Sequence, residues 1–339
     1  MILVTGGLGF IGSHTVVELQ KQGYEVVIID NLSNSSLDVL KGITKITGKK
    51  PLFEKLDLRN KPAVHYFFDK YKNIAGVIHF AASKAVGESV KNPLLYYENN
   101  IGTLVYLLQE MTARGLSNLI FSSSCTVYGQ ADVLPITENA PIKKAESPYG
   151  NTKQVSEEII KDTTLAYKNF KAIALRYFNP IGAHPSGEIG ELPLGTPQNL
   201  IPYITQTAIG IREQLAVFGD DYDTPDGTAI RDYIHVIDLA EAHIVALARL
   251  LDNNNKNQLE FLNIGTGTGS SVLEVIKAFE RVNNLKLNYK IAPKRAGDVT
   301  AAYADTTLAN NELGWQAKLN LEDALRDAWQ WENLLQKKQ

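Results

Sequence analysis

The sequence contains little cysteine and no regular spacing of histidine. Its 339 residues include one cysteine, Cys125, which excludes an internal disulfide framework and a multi-cysteine metal site. The six histidines show neither the His-x-x-x-His nor the His-Glu-x-x-His spacing of zinc ligands, so no metal site is expected. Cys125 follows a run of serines, and we interpret it as a small apolar residue rather than as a nucleophile.

The sequence also lacks an excess of positive charge and any long apolar run. A net charge of -3, with 21% charged residues, provides no basic surface of the kind that gathers nucleic acid. No apolar run approaches the ~18 residues of a membrane span, and no signal peptide precedes the first strand-like segment. We therefore expect a cytoplasmic protein that binds neither nucleic acid nor membranes. Since 44% of the residues are apolar, the chain can bury a large core.

A glycine-rich turn follows the first apolar run of the chain. Gly6, Gly7, Gly9 and Gly12 lie between a strand-like segment ending at Thr5 and a helical pattern. Glycines let the backbone approach a pyrophosphate closely, and a helix N-terminus offers N–H groups to the phosphates. Two spacings fit, one beginning at Gly6 and the other at Gly7, and the sequence alone does not separate them.

Further apolar runs alternate with helical patterns. These strand-like runs are Glu25–Asp30, Leu52–Leu58, Gly76–Phe80, Leu119–Ser124 and Lys171–Phe178. The alternation predicts an α/β fold of Rossmann type, a doubly wound parallel sheet covered by helices on both faces. Ligands of such sheets bind at the carboxyl ends of the strands. Asp30 ends the second strand-like run, where a carboxylate that binds the ribose of a dinucleotide is expected.

The character of the sequence changes after Phe178. Residues 179–202 include five prolines and several glycines, which favours a long loop of the substrate-lid type. Strand and helix patterns alternate less regularly beyond this loop. We predict a dinucleotide-binding domain over residues 1–178 and a smaller mixed α/β substrate domain over residues 179–339.

Two helical patterns carry apolar stripes. One stripe alternates spacings of four and three residues, and a weaker one covers residues 155–166. The first stripe consists of Tyr97, Ile101, Leu104, Leu108 and Met111. Such a stripe indicates either a helix face packed on the sheet or a seam that pairs with a second copy of the chain in a homodimer.

A serine and a Tyr-x-x-x-Lys motif lie near the middle of the chain. If Pro148 occupies the first turn of a helix, Tyr149 and Lys153 share one face of it. An adjacent cation commonly lowers the pKa of an acid by roughly 1 to 3 units, which would make the Tyr149 phenol a usable proton acceptor. Ser124, at the end of a strand-like run, would give a second hydrogen bond to the same substrate oxygen. The same motif also occurs by chance on ordinary amphipathic helices.

Several fragments of the chain, taken together, resemble one protein family. They are TGGLGFIGSH, HFAASKAVGES, SSSCTVYG, SPYGNTK, LRYFNPIGAHPSG, RDYIHVIDLA and APKRAGD. These fragments are similar to the UDP-glucose 4-epimerase (UDP-galactose 4-epimerase) family of the extended short-chain dehydrogenases/reductases. The resemblance implies that tightly bound NAD oxidises the sugar at C4 to a 4-ketose, which rotates and is reduced again on its other face. The reaction would interconvert UDP-glucose and UDP-galactose without net redox change.

The resemblance also assigns residues to ligands. Those that would hold NAD are Gly6, Gly9, Phe10, Ile11, Gly12, Asp30, Asn31, Leu32, Ser33, Asn34, Ser35, Asp57, Leu58, Phe80, Ala81, Ala82, Ser83, Lys84, Asn99, Ser124, Tyr149, Lys153 and Phe178. Those that would hold the UDP-sugar are Ser124, Tyr149, Asn179, Asn199, Leu200, Ala216, Val217, Phe218, Arg231, Arg295, Asp298 and Ala302. Ser124, Tyr149 and Lys153 would form the catalytic group. Arg231 and Arg295 supply the forked cations that suit a diphosphate, although either arginine could instead form an ion pair between domains.

Two features bear on specificity. Asp30 would repel the 2′-phosphate of NADP, and no lysine or arginine lies between Glu25 and Val39 to bind one, so we expect NAD. Ala302 aligns with a sugar-pocket position at which some epimerases of the family have tyrosine, a bulky residue that excludes a 2-acetamido group. The resemblance therefore implies that UDP-N-acetylglucosamine and UDP-N-acetylgalactosamine are also accepted, unless neighbouring Tyr303 fills the space.

Two other functions are compatible with the same fold. A nucleotide-sugar 4,6-dehydratase shares the cofactor and the Tyr-x-x-x-Lys motif. Those enzymes resemble one another in an acidic Asp-Glu pair after the Ser/Thr position, where this chain has Cys125 and Thr126. A non-catalytic NAD-binding regulator is the other alternative, although such proteins tend to lack the combination of Ser124, Tyr149 and Lys153.

Overall fold

The computed structural model describes residues 1–295 and 298–338. Residues 296 and 297 lie outside the described residues, as does residue 339. The strands are β1 Ile2–Thr5, β2 Val26–Asp30, β3 Leu52–Lys55, β4 Gly76–His79, β5 Asn118–Ser124, β6 Lys171–Tyr177, β7 Asn179–Ile181, β8 Leu215–Phe218, β9 Ile230–His235, β10 Leu259–Ile264, β11 Gly269–Ser271, β12 Tyr289–Ala292 and β13 Ala301–Ala302.

The α-helices are α1 Phe10–Lys21, α2 Leu37–Thr47, α3 Lys61–Lys70, α4 Val86–Lys91, α5 Pro93–Tyr96, α6 Thr103–Ala113, α7 Pro148–Ala166, α8 Leu200–Ala208, α9 Val236–Leu251, α10 Val272–Asn283, α11 Thr307–Leu313 and α12 Leu321–Lys338. A π-helical segment, Tyr97–Gly102, joins α5 to α6, and a 3-10 turn, Cys125–Tyr128, follows β5. In the described part of the chain, no helix is both long and apolar enough to cross a membrane.

Seven parallel strands form the central sheet. Their order is β10-β6-β5-β4-β1-β2-β3, and every neighbouring pair runs parallel. Strands β1, β2 and β4 are buried along their whole length. Because both faces of such a strand are covered, its sequence is a continuous apolar run rather than an alternating one. The predicted Rossmann-type fold class is confirmed.

Helices cover both faces of this sheet. Alternate side chains of β1 show the division, since Ile2 and Val4 pack against α1, α2 and α9, whereas Leu3 packs against α3, α6 and α7. Leu104, Leu108 and Met111 of the first apolar stripe are part of the second layer. For those three residues the interpretation of a helix face packed on the sheet is confirmed.

The region after residue 178 forms a second, smaller unit of structure around β9. Strands β7, β11 and β13 pair with β9, and β8 pairs with β12. Helices α8, α10 and α12 enclose an apolar core beside these strands. Helix α9 and strand β10 come from the same stretch of chain but pack on and complete the central sheet. The division of the chain at residue 178 stays a prediction.

The segment 179–202 is only partly irregular. It begins with β7, and α8 starts at Leu200, so a short strand and a helix start replace both ends of the predicted loop. Helix α12 covers the middle of the segment: the Trp331 Nε1 donates to the carbonyl oxygen of Glu191 at 3.0 Å. A Cβ on Gly190 would lie 2.5 Å from the Trp331 ring, which shows how closely the two segments pack.

Helix α7 begins at the residues that signalled its start. Pro148 occupies the first turn, and the Ser147 hydroxyl accepts a hydrogen bond from the Gly150 N–H at 3.2 Å. Tyr149 and Lys153 consequently lie on neighbouring turns of one helix face, as predicted.

Candidate active site

The glycine turn joins β1 to α1 at the carboxyl edge of the central sheet. Gly6 has a φ of +67°, and a Cβ there would lie 2.9 Å from the backbone nitrogen of Ala81. A Cβ on Gly12 would lie 2.3 Å from the carbonyl oxygen of Gly6. Gly7 has no positive φ, but a Cβ there would lie 2.8 Å from the Ile28 side chain, so both spacings stay open. A turn without Cβ atoms, ahead of a helix N-terminus, has the form that admits the pyrophosphate of a dinucleotide.

The carboxylate of Asp30 lies beside this turn. It accepts hydrogen bonds from the backbone N–H groups of Leu8, at 3.1 Å, and Leu32, at 2.9 Å. The Ser35 hydroxyl donates a third, at 2.8 Å. These donors fix an anionic acceptor at the end of β2, where the ribose hydroxyls of a dinucleotide bind in this fold. The turn and the carboxylate together fit a dinucleotide.

Neighbouring residues assigned to the cofactor are linked to one another. Asn31 donates to the Asp57 carboxylate at 3.3 Å. The Arg59 guanidinium, 2.7 Å from the same carboxylate, holds the pKa of Asp57 down at about 2. Asp57 is therefore ionised at neutral pH. Leu58, by contrast, is buried in the apolar layer beneath the sheet.

A polar cluster ties the segment after β4 to the π-helical segment. Asn99 donates to the Ser83 hydroxyl at 2.9 Å. The side chain of Asn100 accepts from the Ser83 N–H at 2.8 Å and donates to the Thr152 hydroxyl of α7 at 3.0 Å. Asn100 was not identified from the sequence, because an asparagine within an amphipathic pattern gives no signal of its own.

The three predicted catalytic residues converge on this edge of the sheet. Ser124 is the last residue of β5, and Tyr149 and Lys153 come from α7. The Lys153 ammonium lies 5.9 Å from the centroid of the Tyr149 ring and 4.9 Å from that of Phe121. Lys153 donates to the carbonyl oxygen of Ser122 at 2.6 Å, which leaves further N–H donors for a ligand.

The ionisation of Tyr149 differs from the expectation. Burial raises the pKa of the Tyr149 phenol to about 12, and the Ser124 hydroxyl opposes this by hydrogen bonding. Burial also lowers the pKa of Lys153 to about 8, while the Glu157 carboxylate acts in the opposite direction. The expectation that Lys153 lowers the pKa of Tyr149 is therefore wrong for the residues of the chain by themselves. The reason is that burial disfavours the phenolate, while the ammonium, which lies over the ring, is not among the groups that lower the pKa.

Residues assigned to the UDP moiety meet around Asp298. Arg295 Nε donates to the Asp298 carboxylate at 2.9 Å, and Arg231 Nη2 lies 4.0 Å from it. The Arg295 guanidinium also covers the Phe218 ring, 4.8 Å from its centroid. Two guanidinium groups thus share one carboxylate, which leaves a local excess of positive charge suited to a diphosphate. Ala302 pairs with Arg231 in the register of β13 and β9.

One carboxylate connects the two sets of ligand-binding residues. Glu191 Oε1 accepts from Asn199 Nδ2 at 2.6 Å and from Lys84 Nζ at 3.2 Å. Asn199 was assigned to the UDP-sugar and Lys84 to NAD. Glu191 was not identified from the sequence, because it lies in an irregular segment without a motif.

The remaining assigned residues occupy different positions. Asn179 begins β7 and Leu200 begins α8. The side chains of Val217 and Phe178 are buried in apolar clusters, Val217 among α8, α10 and α12 and Phe178 beside Ala302. The roles of these residues in binding stay predictions.

A buried ion pair beneath the catalytic residues was missed. The Arg176 guanidinium lies 2.6 Å from the Glu157 carboxylate, and both side chains are at most 6% exposed. Glu157 continues the helix face of Tyr149 and Lys153 at the same spacing of four. That spacing, together with an arginine inside an apolar strand, is the sequence signal from which the ion pair could have been predicted.

Neither a metal site nor a reactive thiol is present among the described residues. No group of three His, Cys, Asp or Glu side chains within residues 1–295 and 298–338 is placed to hold a metal ion. Burial raises the pKa of the Cys125 thiol to about 11, so its thiolate is scarce at neutral pH.

The fold and the Ser, Tyr and Lys constellation define the class of this chain, an extended short-chain dehydrogenase/reductase that acts on nucleotide sugars. The sequence profile of the family described as GDP-mannose 4,6 dehydratase matches residues 3–328. The most similar relatives point to one family within that class. The UDP-glucose 4-epimerase of Bacillus subtilis is 51% identical over 332 residues, which cover 98% of this chain and 96% of the relative.

Two solved structures agree with this relationship. The UDP-glucose 4-epimerase of Stenotrophomonas maltophila, with NAD and formylated UDP-arabinopyranose, is 47% identical with a TM-score of 0.95 and covers 100% of this chain and 99% of its own. That of Bifidobacterium longum, with NAD⁺ and UDP, is 45% identical with a TM-score of 0.94 and covers 98% of each chain. The chain belongs to the UDP-glucose 4-epimerase family, and the resemblance seen in the sequence fragments is confirmed.

Proposed function

We propose that this chain interconverts UDP-glucose and UDP-galactose with NAD as its cofactor. The observation that carries the proposal is the convergence of Ser124, Tyr149 and Lys153 beside the glycine turn and the Asp30 carboxylate. When bound, NAD supplies a hydride acceptor and donor, and its positive charge favours the phenolate form of a nearby tyrosine.

The residues of the chain act on the sugar 4-hydroxyl. Tyr149 accepts the hydroxyl proton while Ser124 holds the same oxygen, and loss of the C4 hydride leaves a 4-ketose. After the ketose has turned over, return of the hydride would leave the inverted alcohol, and Tyr149 gives the proton back. Lys153 would hold the nicotinamide ribose through N–H donors that Ser122 does not use. Arg231 and Arg295 keep the diphosphate fixed, so only the sugar changes its orientation.

The proposal is tested by replacing the proton acceptor. Tyr149→Phe should lower the rate of UDP-galactose conversion by a factor of about 100 to 10,000, because a positioned base contributes that much. Tyr167→Phe, which removes an exposed hydroxyl at the end of the same helix, is the matched control. Near-normal turnover by Tyr149→Phe with NAD still bound would contradict the assignment.

The same assay separates the alternatives. A 4,6-dehydratase would release a 4-keto-6-deoxy sugar, and a non-catalytic regulator would leave UDP-galactose unchanged. The dehydratase is not favoured, because the residues after Ser124 are Cys125 and Thr126 and provide no acid for the elimination of water.

The small side chain of Ala302 supports a wider range of substrates, UDP-N-acetylglucosamine and UDP-N-acetylgalactosamine. Ala302 is buried next to Phe178, and its side chain is the smallest that carries a Cβ. The Tyr303 ring lies 3.0 Å from where a Cβ on Gly269 would stand. Tyr303, the residue after β13, therefore packs towards Gly269 of β11.

We also propose a cytoplasmic homodimer. Exposed apolar side chains lie near the helices in which the stripes were found, among them Leu94, 80% exposed, and Leu165, 72% exposed. A second copy packed on this surface would remove them from water.

A further inference from the structure

Three consecutive serines at the end of β5 make three different contacts. The Ser124 hydroxyl accepts from the Thr126 N–H at 3.2 Å, and the carbonyl oxygen of Ser122 accepts from Lys153. The Ser123 side chain, directed to the opposite face of the strand, donates to Glu157 Oε1 at 2.6 Å. Helix α7 is thus tied to β5 twice, once at Lys153 and once a turn later at Glu157.

The bond between Ser123 and Glu157 lies in a buried and well-paired environment. Arg176 of β6 binds Glu157 through Nε at 2.9 Å and Nη2 at 2.6 Å. Ser123 is completely buried, and Glu157 is 5% exposed. A hydrogen bond to an ionised and buried acceptor is stronger than a bond between neutral groups. The Ser123–Glu157 bond therefore has both the strength and the location to fix a helix against a strand.

Glu157 also belongs to the electrostatic surroundings of Lys153. On α7 itself, Lys153 is flanked by Tyr149 and Glu157, and Glu157 raises the pKa of Lys153. From β4, His79 faces Lys153, and burial together with the ammonium lowers the pKa of His79 to about 3, so this ring is neutral. From β6 come Arg176, paired with Glu157, and Tyr177, whose phenol pKa is raised by burial. Glu157 is thus the one anionic carboxylate among these groups.

We propose that Ser123 and Glu157 are positioning residues, whose hydrogen bond sets the place of Tyr149 and Lys153 on α7 relative to Ser124 on β5. The inference rests on the proposed epimerase function, since it explains how the catalytic residues keep their mutual geometry. Neither Ser123 nor Glu157 touches the substrate. Both act through the helix and the strand that carry the catalytic residues, and the Glu157 carboxylate also acts on the Lys153 ammonium one helical turn away.

The first experiment removes only the connecting hydroxyl. In NAD-loaded Ser123→Ala, kcat for UDP-galactose should fall about 10- to 100-fold, since small misplacements of reacting groups have effects of that size. KM should stay within about twofold, because the UDP-binding residues are untouched. Tyr128→Phe is the control: it removes a buried hydroxyl that bonds Arg176 at 3.1 Å and Asn263 at 2.7 Å in the same network. Its kcat should stay within about threefold of wild type.

The second experiment changes charge at nearly constant shape. In Glu157→Gln, the neutral amide no longer favours the Lys153 ammonium, so Lys153 should lose its proton at a lower pH. As pH rises, kcat should therefore begin to fall at a lower pH than in wild type. A purely structural role for Glu157 would lower kcat by the same factor at every pH. If kcat of Glu157→Gln begins to fall at the same pH as kcat of wild type, the electrostatic part of the inference is overturned.

Hydrogen exchange keeps the inference separate from the proposed function. Amides of residues 149–153 should exchange at least about tenfold faster in Ser123→Ala than in wild type, while those of residues 160–166 should not change. If wild type fails to convert UDP-sugars, the proposed function fails, but this exchange comparison still tests the tie between α7 and β5. Unchanged exchange at residues 149–153, or a kcat of Ser123→Ala equal to that of Tyr128→Phe, would refute the positioning role.

Discussion

The buried ammonium of Lys153 makes a prediction about pH. Its pKa of about 8 means that about nine tenths of the molecules carry the charge at pH 7 and about one tenth at pH 9. Catalysis requires the charged form, because a neutral amine neither attracts a phenolate nor donates as strongly to the nicotinamide ribose. We therefore expect kcat to fall as pH rises through about 8, approaching tenfold per unit above pH 9.

The assay is the conversion of saturating UDP-galactose, stopped at short times and separated chromatographically, at intervals from pH 6.5 to 10. Lys153→Arg is the matched variant, since a guanidinium stays charged throughout this range. The rate of this variant will be lower, but its kcat should not fall near pH 8. A wild-type kcat that stays constant up to pH 10, or a fall of kcat near pH 8 in Lys153→Arg as well, would refute the reasoning.

The stability of the fold should respond in the opposite direction. The unfolded chain holds the Lys153 proton up to about pH 10.4, whereas the folded chain releases it near pH 8. Between these values the unfolded state binds more protons, so the free energy of unfolding rises with pH; below about pH 8 both states are protonated and the gain is absent. At about 1.4 kcal/mol per unit, the gain is on the order of 3 kcal/mol. Urea midpoints of wild type should rise relative to Lys153→Met over this window, with NAD saturating.

Three further predictions concern ligands and assembly. The nucleotide released on denaturation should be NAD, because the Asp30 carboxylate repels a 2′-phosphate; mainly NADP in the chromatogram would contradict this. Wild type should epimerise UDP-N-acetylglucosamine, and Ala302→Tyr should lose this activity at a cost of about 1 to 3 kcal/mol while keeping that on UDP-glucose. Wild type inactive on the N-acetylated sugar, or a variant still active on it, would exclude Ala302 as the determinant. Light scattering at micromolar concentration should give the mass of a dimer, and a monomer would count against the proposed surface.

The sequence was most informative where chemistry and local structure coincide. The strands of the central sheet are continuous apolar runs, and the start of α7 has its own capping residue, so the edge carrying Ser124 and Tyr149 could be located in advance. Gly6 and Gly12 were identified by type, while the close approach of Ala81 to Gly6 depends on the tertiary fold.

Other features depend on contacts between distant parts of the chain. The partners of Glu157 are Ser123 and Arg176, which lie on two different strands, and no local sequence pattern predicts these contacts. Glu191 binds both Lys84, which lies 107 residues away in the sequence, and Asn199, which lies 8 residues away. The ionisation of Tyr149 was misjudged for a related reason, since burial depends on the whole fold and not on the lysine one turn away.

The return of β10 to the central sheet has a consequence for biosynthesis. Strand β6 pairs with β10 from Ala172 to Tyr177, so residues 259–264 must be synthesised before this edge of β6 has a partner. Until then a growing chain exposes unpaired backbone N–H and C=O groups, and such an edge can pair with strands of other molecules. A fragment cut at residue 178 would keep this edge for good and would also lack the cover of α9. Gene truncations at the apparent boundary should therefore aggregate, and a soluble nucleotide-binding piece would have to include residues as far as 264.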